Sequence, residues 1–195
     1  HKGNISKSTI CDDGTHLVVT GGEPLLKGFR PGLSELVLSS ELKTFFITFE
    51  TNGTQLYHFN DFVDTHDKYV DYCNRFRRRK GGVTWSVSPK LSISGERWMD
   101  AIVPEALLTY NTWPDSFLYL KFVIRDKEDI KEVEQAVYEY DVAGVKIDAI
   151  YLMPEGGTSD GLKLTDNDVS QLALKYGYKY SPRLHINLFG NEWGT

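Results

Sequence analysis

Apolar positions recur along this chain with two alternating periods. His16-Leu-Val-Val-Thr20 reads as a strand that stops at Gly21-Gly22. Leu33, Leu36, Val37 and Leu42 then mark a short amphipathic helix from Leu33 to Leu42. Phe45 to Phe49 predicts the next strand, closed by the turn signal Asn52-Gly53. Asp61 to Cys73 fits a helix, although its period is ambiguous. Val83, Trp85 and Val87 alternate with Thr84 and Ser86 in a third strand that stops at Pro89. Phe117 to Ile124 is a β-rich run, and Ile130, Val133, Val137 and Tyr140 share one face of a helix from Asp126 to Tyr140. Ala149 to Leu152 predicts a strand broken at Pro154. Asp166 to Tyr176 is read as a helix with Val169, Leu172 and Ala173 inward, and the alternation of Leu184, Ile186 and Leu188 as a final short strand before Gly190. Strand followed by helix, repeated about five times, implies an α/β fold with mainly parallel strands. No internal repeat or low-complexity linker divides the chain, so 1–195 is read as a single domain.

Composition narrows the function classes. Of the 195 residues 41% are hydrophobic and 25% charged, which suits a globular core rather than disorder. The formal net charge of −5 argues against a surface built to neutralise nucleic-acid phosphates, and no direct nucleic-acid binding is expected. No apolar run approaches the roughly 20 residues that span a bilayer, so no membrane association is expected. His1 to Thr9 holds no apolar signal core, and Cys11 and Cys73 make no disulfide framework, which together point to a cytoplasmic setting. The one charge run, Arg75 to Lys80, is either a solvated loop or a basic patch for an anionic substrate or partner.

In parallel α/β folds, ligands bind at the carboxyl ends of the strands. Those ends read Thr20-Gly-Gly-Glu-Pro24, Glu50-Thr-Asn-Gly-Thr54, Ser86-Val-Ser-Pro-Lys90, Lys121 within its run, and Met153-Pro-Glu-Gly156. Small, polar and turn-forming residues gathered on one rim suggest a ligand site assembled from several loops. In the first of these, two glycines let backbone approach a ligand closely, and Glu23 offers an acceptor to a cation such as an amino acid's ammonium. The bland alternative is a plain strand–turn–helix connection. Phosphate cradling is less natural, because no lysine follows the glycines.

TGGEP, ETNGT, SVSPK, YLMPEG and the terminal RLHINLFGNEWGT, in this order and spacing, resemble the 7-carboxy-7-deazaguanine synthases of the radical S-adenosylmethionine superfamily. The resemblance runs from about His16 to Thr195. It implies a modified, partial β/α barrel. It also implies a carbon–nitrogen lyase that uses S-adenosylmethionine, a 4Fe-4S cluster and magnesium to convert 6-carboxy-5,6,7,8-tetrahydropterin to 7-carboxy-7-deazaguanine with loss of ammonia. Such a product feeds transfer-RNA queuosine synthesis or deazaguanine modification of DNA. By the same resemblance, Thr20 and Thr195 would meet the pterin substrate. Gly22, Glu23, Ser88, Pro89, Lys90, Leu152, Met153, Pro154 and Glu155 would meet S-adenosylmethionine, with Glu50 and Asn52 as looser candidates for the methionine or ribose. A homodimer and a flavodoxin-like electron donor are implied partners. Physical chemistry agrees with the methionine site, because Glu23 and Lys90 offer an acceptor for its ammonium and a donor for its carboxylate. Leu184, Ile186 and Leu188 would anchor the tail that carries Thr195, with His185 read as a core histidine.

The chain departs from that family at its start. The cluster-binding CxxxCxxC is absent, and with it the first strand and the magnesium-binding threonine. Cys11 and Cys73 lie 62 positions apart and are read as isolated thiols. The expectation is a chain truncated at its N-terminus, with no catalytic residue or metal ligand of its own and no turnover in this form. The alternative is a cluster-free module that binds S-adenosylmethionine or a pterin without catalysis.

Overall fold

The computed structural model describes residues 16–39, 42, 45–63, 66–77 and 82–190. Its centre is one sheet of six strands: β1 (His16–Val19), β2 (Phe46–Thr51), β3 (Thr84–Val87), β4 (Phe117–Ile124), β5 (Ala149–Pro154) and β6 (Lys179–Tyr180). Their spatial order is their sequence order, and every neighbouring pair is parallel. Parallel neighbours are joined by right-handed crossovers, so a sheet that always advances in one direction sends its connecting helices to the same face. The strands are parallel, as the strand–helix alternation predicts, and form an open segment of a β/α barrel, as the resemblance implies. The sheet does not close on itself.

The connecting helices are α1 (Arg30–Leu38), α2 (Phe59–Phe62), α3 (His66–Arg77), α4 (Trp98–Ala101), α5 (Pro104–Tyr110), α6 (Asp129–Val142) and α7 (Ser159–Tyr176), followed by α8 (Leu184–Phe189). Pro31 opens α1, where a missing N–H costs nothing. The Thr158 hydroxyl accepts from Gly161 N to cap α7, and Gly177 ends it in the left-handed region. Among the described residues, no helix is long and apolar enough to cross a membrane.

One core joins the helices to the sheet. Ile47 and Phe49 of β2, Trp85 and Val87 of β3, Leu118, Leu120, Phe122 and Ile124 of β4 and Leu152 of β5 point into it. Leu33 and Val37 of α1, Tyr72 of α3, Leu107 and Tyr110 of α5, Ile130 and Val133 of α6 and Val169 of α7 meet them there. Trp85 is sandwiched between Phe49, at 5.1 Å, and Tyr110, at 4.6 Å between ring centroids. Trp113 then links that stack to Phe59, Phe62 and Tyr72. Trp85 and Trp113 are thus core aromatics. Burial pushes the Tyr110 phenol well above its usual range, and its hydroxyl donates to the Gln55 carbonyl at 2.7 Å.

Several boundaries differ from the expectations. The ambiguous stretch from Asp61 to Cys73 is divided between α2 and α3. Residues 98–110, which carry no clear period, form α4 and α5, and α7 starts seven residues before Asp166, at Ser159. Pro154 does not break β5 but ends it, paired in register with Ile124. The correction with most consequence is the segment from Leu184 to Leu188, which is helix α8 and not a strand. Residues two apart on a helix face different ways, so Ile186 is buried while Leu184 and Leu188 are 58% and 62% exposed. His185 is exposed and is no core histidine.

Candidate active site

The two faces of the sheet differ in chemistry because successive side chains on a strand point to opposite sides. One face is the apolar core. The other carries His16 and Val18 from β1, Phe46, Thr48 and Glu50 from β2, Thr84 and Ser86 from β3, Phe117, Tyr119, Lys121 and Val123 from β4, and Ala149, Tyr151 and Met153 from β5, so polar groups from each of these strands stand among apolar ones. Parallel sheets normally bury apolar residues on both faces. A face this polar, with Glu50, Thr84, Tyr119, Lys121 and Tyr151 all half-buried, is built to receive something other than a helix.

At the carboxyl ends of the strands this face rises into a bonded rim. Glu23, in the loop after β1, receives three donors. Its Oε1 accepts from Leu25 N at 3.0 Å and from the Thr51 hydroxyl at 2.8 Å, and its Oε2 accepts from Asn52 N at 2.8 Å. That carboxylate clamps the first loop to the end of β2. Glu50 makes a second tie: its Oε2 accepts from the Thr20 hydroxyl at 3.0 Å and its Oε1 from Lys121 Nζ at 3.1 Å. Ser88 makes a third, donating from its N to the Thr51 carbonyl at 2.8 Å and from its hydroxyl to the Lys121 carbonyl at 3.0 Å.

Glycine is required at particular points of this rim. Gly21 and Gly22 have φ of +100° and +55°, and nothing lies within 4 Å of where a Cβ would stand on either. Backbone is therefore exposed to a ligand on the side that side chains usually cover. Gly53 has φ +82°, and a Cβ there would come within 2.6 Å of Val87 Cγ1. It completes an Asx turn in which Asn52 Oδ1 accepts from the Thr54 N–H and hydroxyl.

The structure thus joins Thr20, Gly22, Glu23, Glu50, Asn52 and Ser88 in one connected rim, and Pro89 and a half-buried Lys90 continue it. It divides the β5 group. Met153 shares the polar face, Glu155 is exposed beyond the strand end, and Leu152 and Pro154 are buried on the opposite side. Leu152 lies in the core, so it can offer a ligand only main-chain atoms. Thr195, Cys11 and Trp193 lie outside the described residues, and the run from Arg75 to Lys80 passes beyond the end of α3 into residues outside them.

Sequence reasoning missed Thr48, Thr84, Tyr119 and Tyr151. Their signal is present as polar positions two apart within apolar strands. An iron–sulfur cluster needs several convergent thiolates. Among the described residues Cys73 is a lone, half-buried thiol on α3, and no cluster of three or more metal-ligating side chains occurs. The described residues therefore bring no ligand set to a cluster or to magnesium.

Comparison with known proteins points in one direction. The chain is 32% identical to the 7-carboxy-7-deazaguanine synthase of Halobacterium salinarum, over 96% of this chain and 70% of that protein. It is 30% identical to the one from Pyrobaculum aerophilum, over 97% and 72%. It is 28% identical to the one from Rhodopirellula baltica, over 92% and 63%. The chain thus spans between 63% and 72% of the length of these relatives. No family model matches the chain. No solved structure matches it either.

Proposed function

This chain belongs to the 7-carboxy-7-deazaguanine synthase family, and from that premise we propose that its rim binds S-adenosylmethionine and its polar face a 6-carboxytetrahydropterin. The activity proposed for the protein is the radical S-adenosylmethionine lyase reaction that yields 7-carboxy-7-deazaguanine and ammonia, in deazaguanine biosynthesis. The observation that carries the reading is the single polar face of a parallel sheet, topped by exposed glycine backbone and a bonded carboxylate rim.

An ionised carboxylate has about four lone-pair sites. Leu25 N, the Thr51 hydroxyl and Asn52 N fill three of those on Glu23, and the remaining one suits the methionine ammonium. Lys90 suits the methionine carboxylate. Gly21 and Gly22 allow the cosubstrate to lie against main chain. Thr20 and Glu50 then border the polar face on which the pterin would rest, and the tail bearing Thr195 is assigned to the same substrate. A 4Fe-4S cluster, with magnesium, supplies the radical chemistry in this reading. The described residues do not fit either group, so their own part is binding and orientation. A homodimer, a flavodoxin-like reductant and a cytoplasmic setting complete the proposal.

A second reading has its own observation. With Cys73 the only thiol among the described residues, a cluster-free module that binds one or both ligands uses every feature of the rim. Calorimetry of the purified chain with each ligand tests the binding that both readings share, and anaerobic iron and sulfide reconstitution of the full-length protein, with product analysis, separates them. Turnover to the deazaguanine establishes the lyase. Binding of either ligand without iron uptake or product establishes the module, and failure to bind either ligand refutes both.

A further inference from the structure

Ser86 stands at the floor of the polar face. In register it lies between Glu50 on β2 and Tyr119 on β4. It is fully buried, and its hydroxyl has no hydrogen-bond partner among the described residues. Buried polar groups are nearly always satisfied, so an orphan on a face where His16, Thr48, Glu50 and Lys121 are bonded calls for a cause.

The cover over Ser86 identifies that cause. Glu50 and Lys121 belong to the two strands that flank β3, so their 3.1 Å ion pair must arch across β3 beside Ser86. Both side chains keep contact with solvent, at 37% and 20% exposure. The pair is therefore a cover that a ligand can take apart. The ligand needs hydrogen-bond donors for the Glu50 carboxylate and an anionic or carbonyl group for the Lys121 ammonium. A pterin ring, with its 2-amino and ring N–H donors, bearing a carboxylate offers both.

We propose that Ser86 is a ligand-contacting specificity residue, reached when a carboxylated pterin displaces the Glu50–Lys121 ion pair and supplies the hydroxyl with its missing partner. The inference rests on the placement of the pterin on the polar face. The opposing explanation is steric: serine is present only because a small side chain lets Glu50 and Lys121 meet above it.

The test is fluorescence titration of the full chain with 6-carboxypterin, an oxidised and stable probe, beside calorimetry with S-adenosylmethionine and a thermal melt. Ser86→Ala is expected to melt no lower than the parent chain, because it removes an unsatisfied hydroxyl. It should bind 6-carboxypterin about tenfold more weakly, the worth of one buried hydrogen bond, and S-adenosylmethionine within about twofold. Ser86→Thr, which keeps the hydroxyl, should recover most of the loss. If the parent binds the probe and Ser86→Ala binds it equally well, Ser86 is only a spacer and the inference is overturned while the site stands. If the parent does not bind the probe, the pterin site itself is wrong and the inference falls with it.

Discussion

The two faces of this sheet share one backbone and do opposite work. On one face Trp85, Phe49, Leu120 and Ile124 are wholly buried against helices. On the other, one residue along each strand, Ser86, Glu50, Tyr119 and Lys121 form a polar floor crossed by the Glu50–Lys121 ion pair. Stability resides in the first face, where area removed from water accumulates. The second gives up that gain and presents groups that a ligand can use. The Glu50–Lys121 pair shows the trade directly: a half-exposed ion pair contributes little stability, yet it fixes charge of both signs at the centre of the site.

Substitutions that strike one face and spare the other test this division. The largest effect is expected from Trp85→Ala, which empties the stack between Phe49 and Tyr110 and should cost about 3–5 kcal/mol by urea denaturation. Gly53→Ala strikes where the faces meet the rim, since the new methyl needs both a left-handed backbone and the space of Val87 Cγ1. A loss of about 2–3 kcal/mol is expected, and a neutral outcome would show that this turn is not held as described. Glu23→Ala releases three donors on a half-buried loop and should cost about 1–2 kcal/mol. By calorimetry it should also weaken S-adenosylmethionine binding more than tenfold, so that loss of function outruns loss of stability.

Two smaller effects sharpen the contrast. Asp129, at the start of α6, accepts from Arg125 N at 2.8 Å and from its guanidinium at 2.9 Å and 3.0 Å. Burial alone would raise its carboxyl, but these bonds outweigh it and hold the pKa below the usual range. A carboxyl depressed in the folded state stabilises above its unfolded pKa, about 3.9, and that contribution is lost as pH falls through the folded value. The stability gap between the parent and Asp129→Asn should therefore be full at pH 7 and shrink below about pH 4. Last, Thr84→Val on the polar face should stay within about 0.5 kcal/mol of the parent. If it costs as much as Trp85→Ala, the faces are not divided as argued.

The strands were legible because each is short, β-rich and bounded by turn residues. The run from Phe117 to Ile124 is β4 to the residue, and the helix expected from Asp126 to Tyr140 is α6 shifted by a few positions. The terminal segment was misread for a physical reason. Leu184, Ile186 and Leu188 satisfy a period of two, but Leu184 and Leu188 are also four apart, and six residues cannot separate the two periods. Residues 98–110 gave no period because α4 and α5 are too short to repeat one.

The candidate site divides in the same way. TGGEP, ETNGT and SVSPK announced a rim, because glycine, proline and asparagine encode turns locally, whatever lies across from them. Alternation within each strand likewise fixed which residues share a face. What no local pattern contains is the partner. The Thr51 and Asn52 donors on Glu23, the reach of Lys121 over β3 to Glu50, and the isolation of the Ser86 hydroxyl all depend on strand order and register. Those are settled by packing between residues 28 to 71 positions apart. Local patterns thus dictate which side of each strand is polar and where the loops turn. Which polar groups meet depends on how the strands pack, because a hydrogen bond between strands is a property of two chain segments and is written in neither alone.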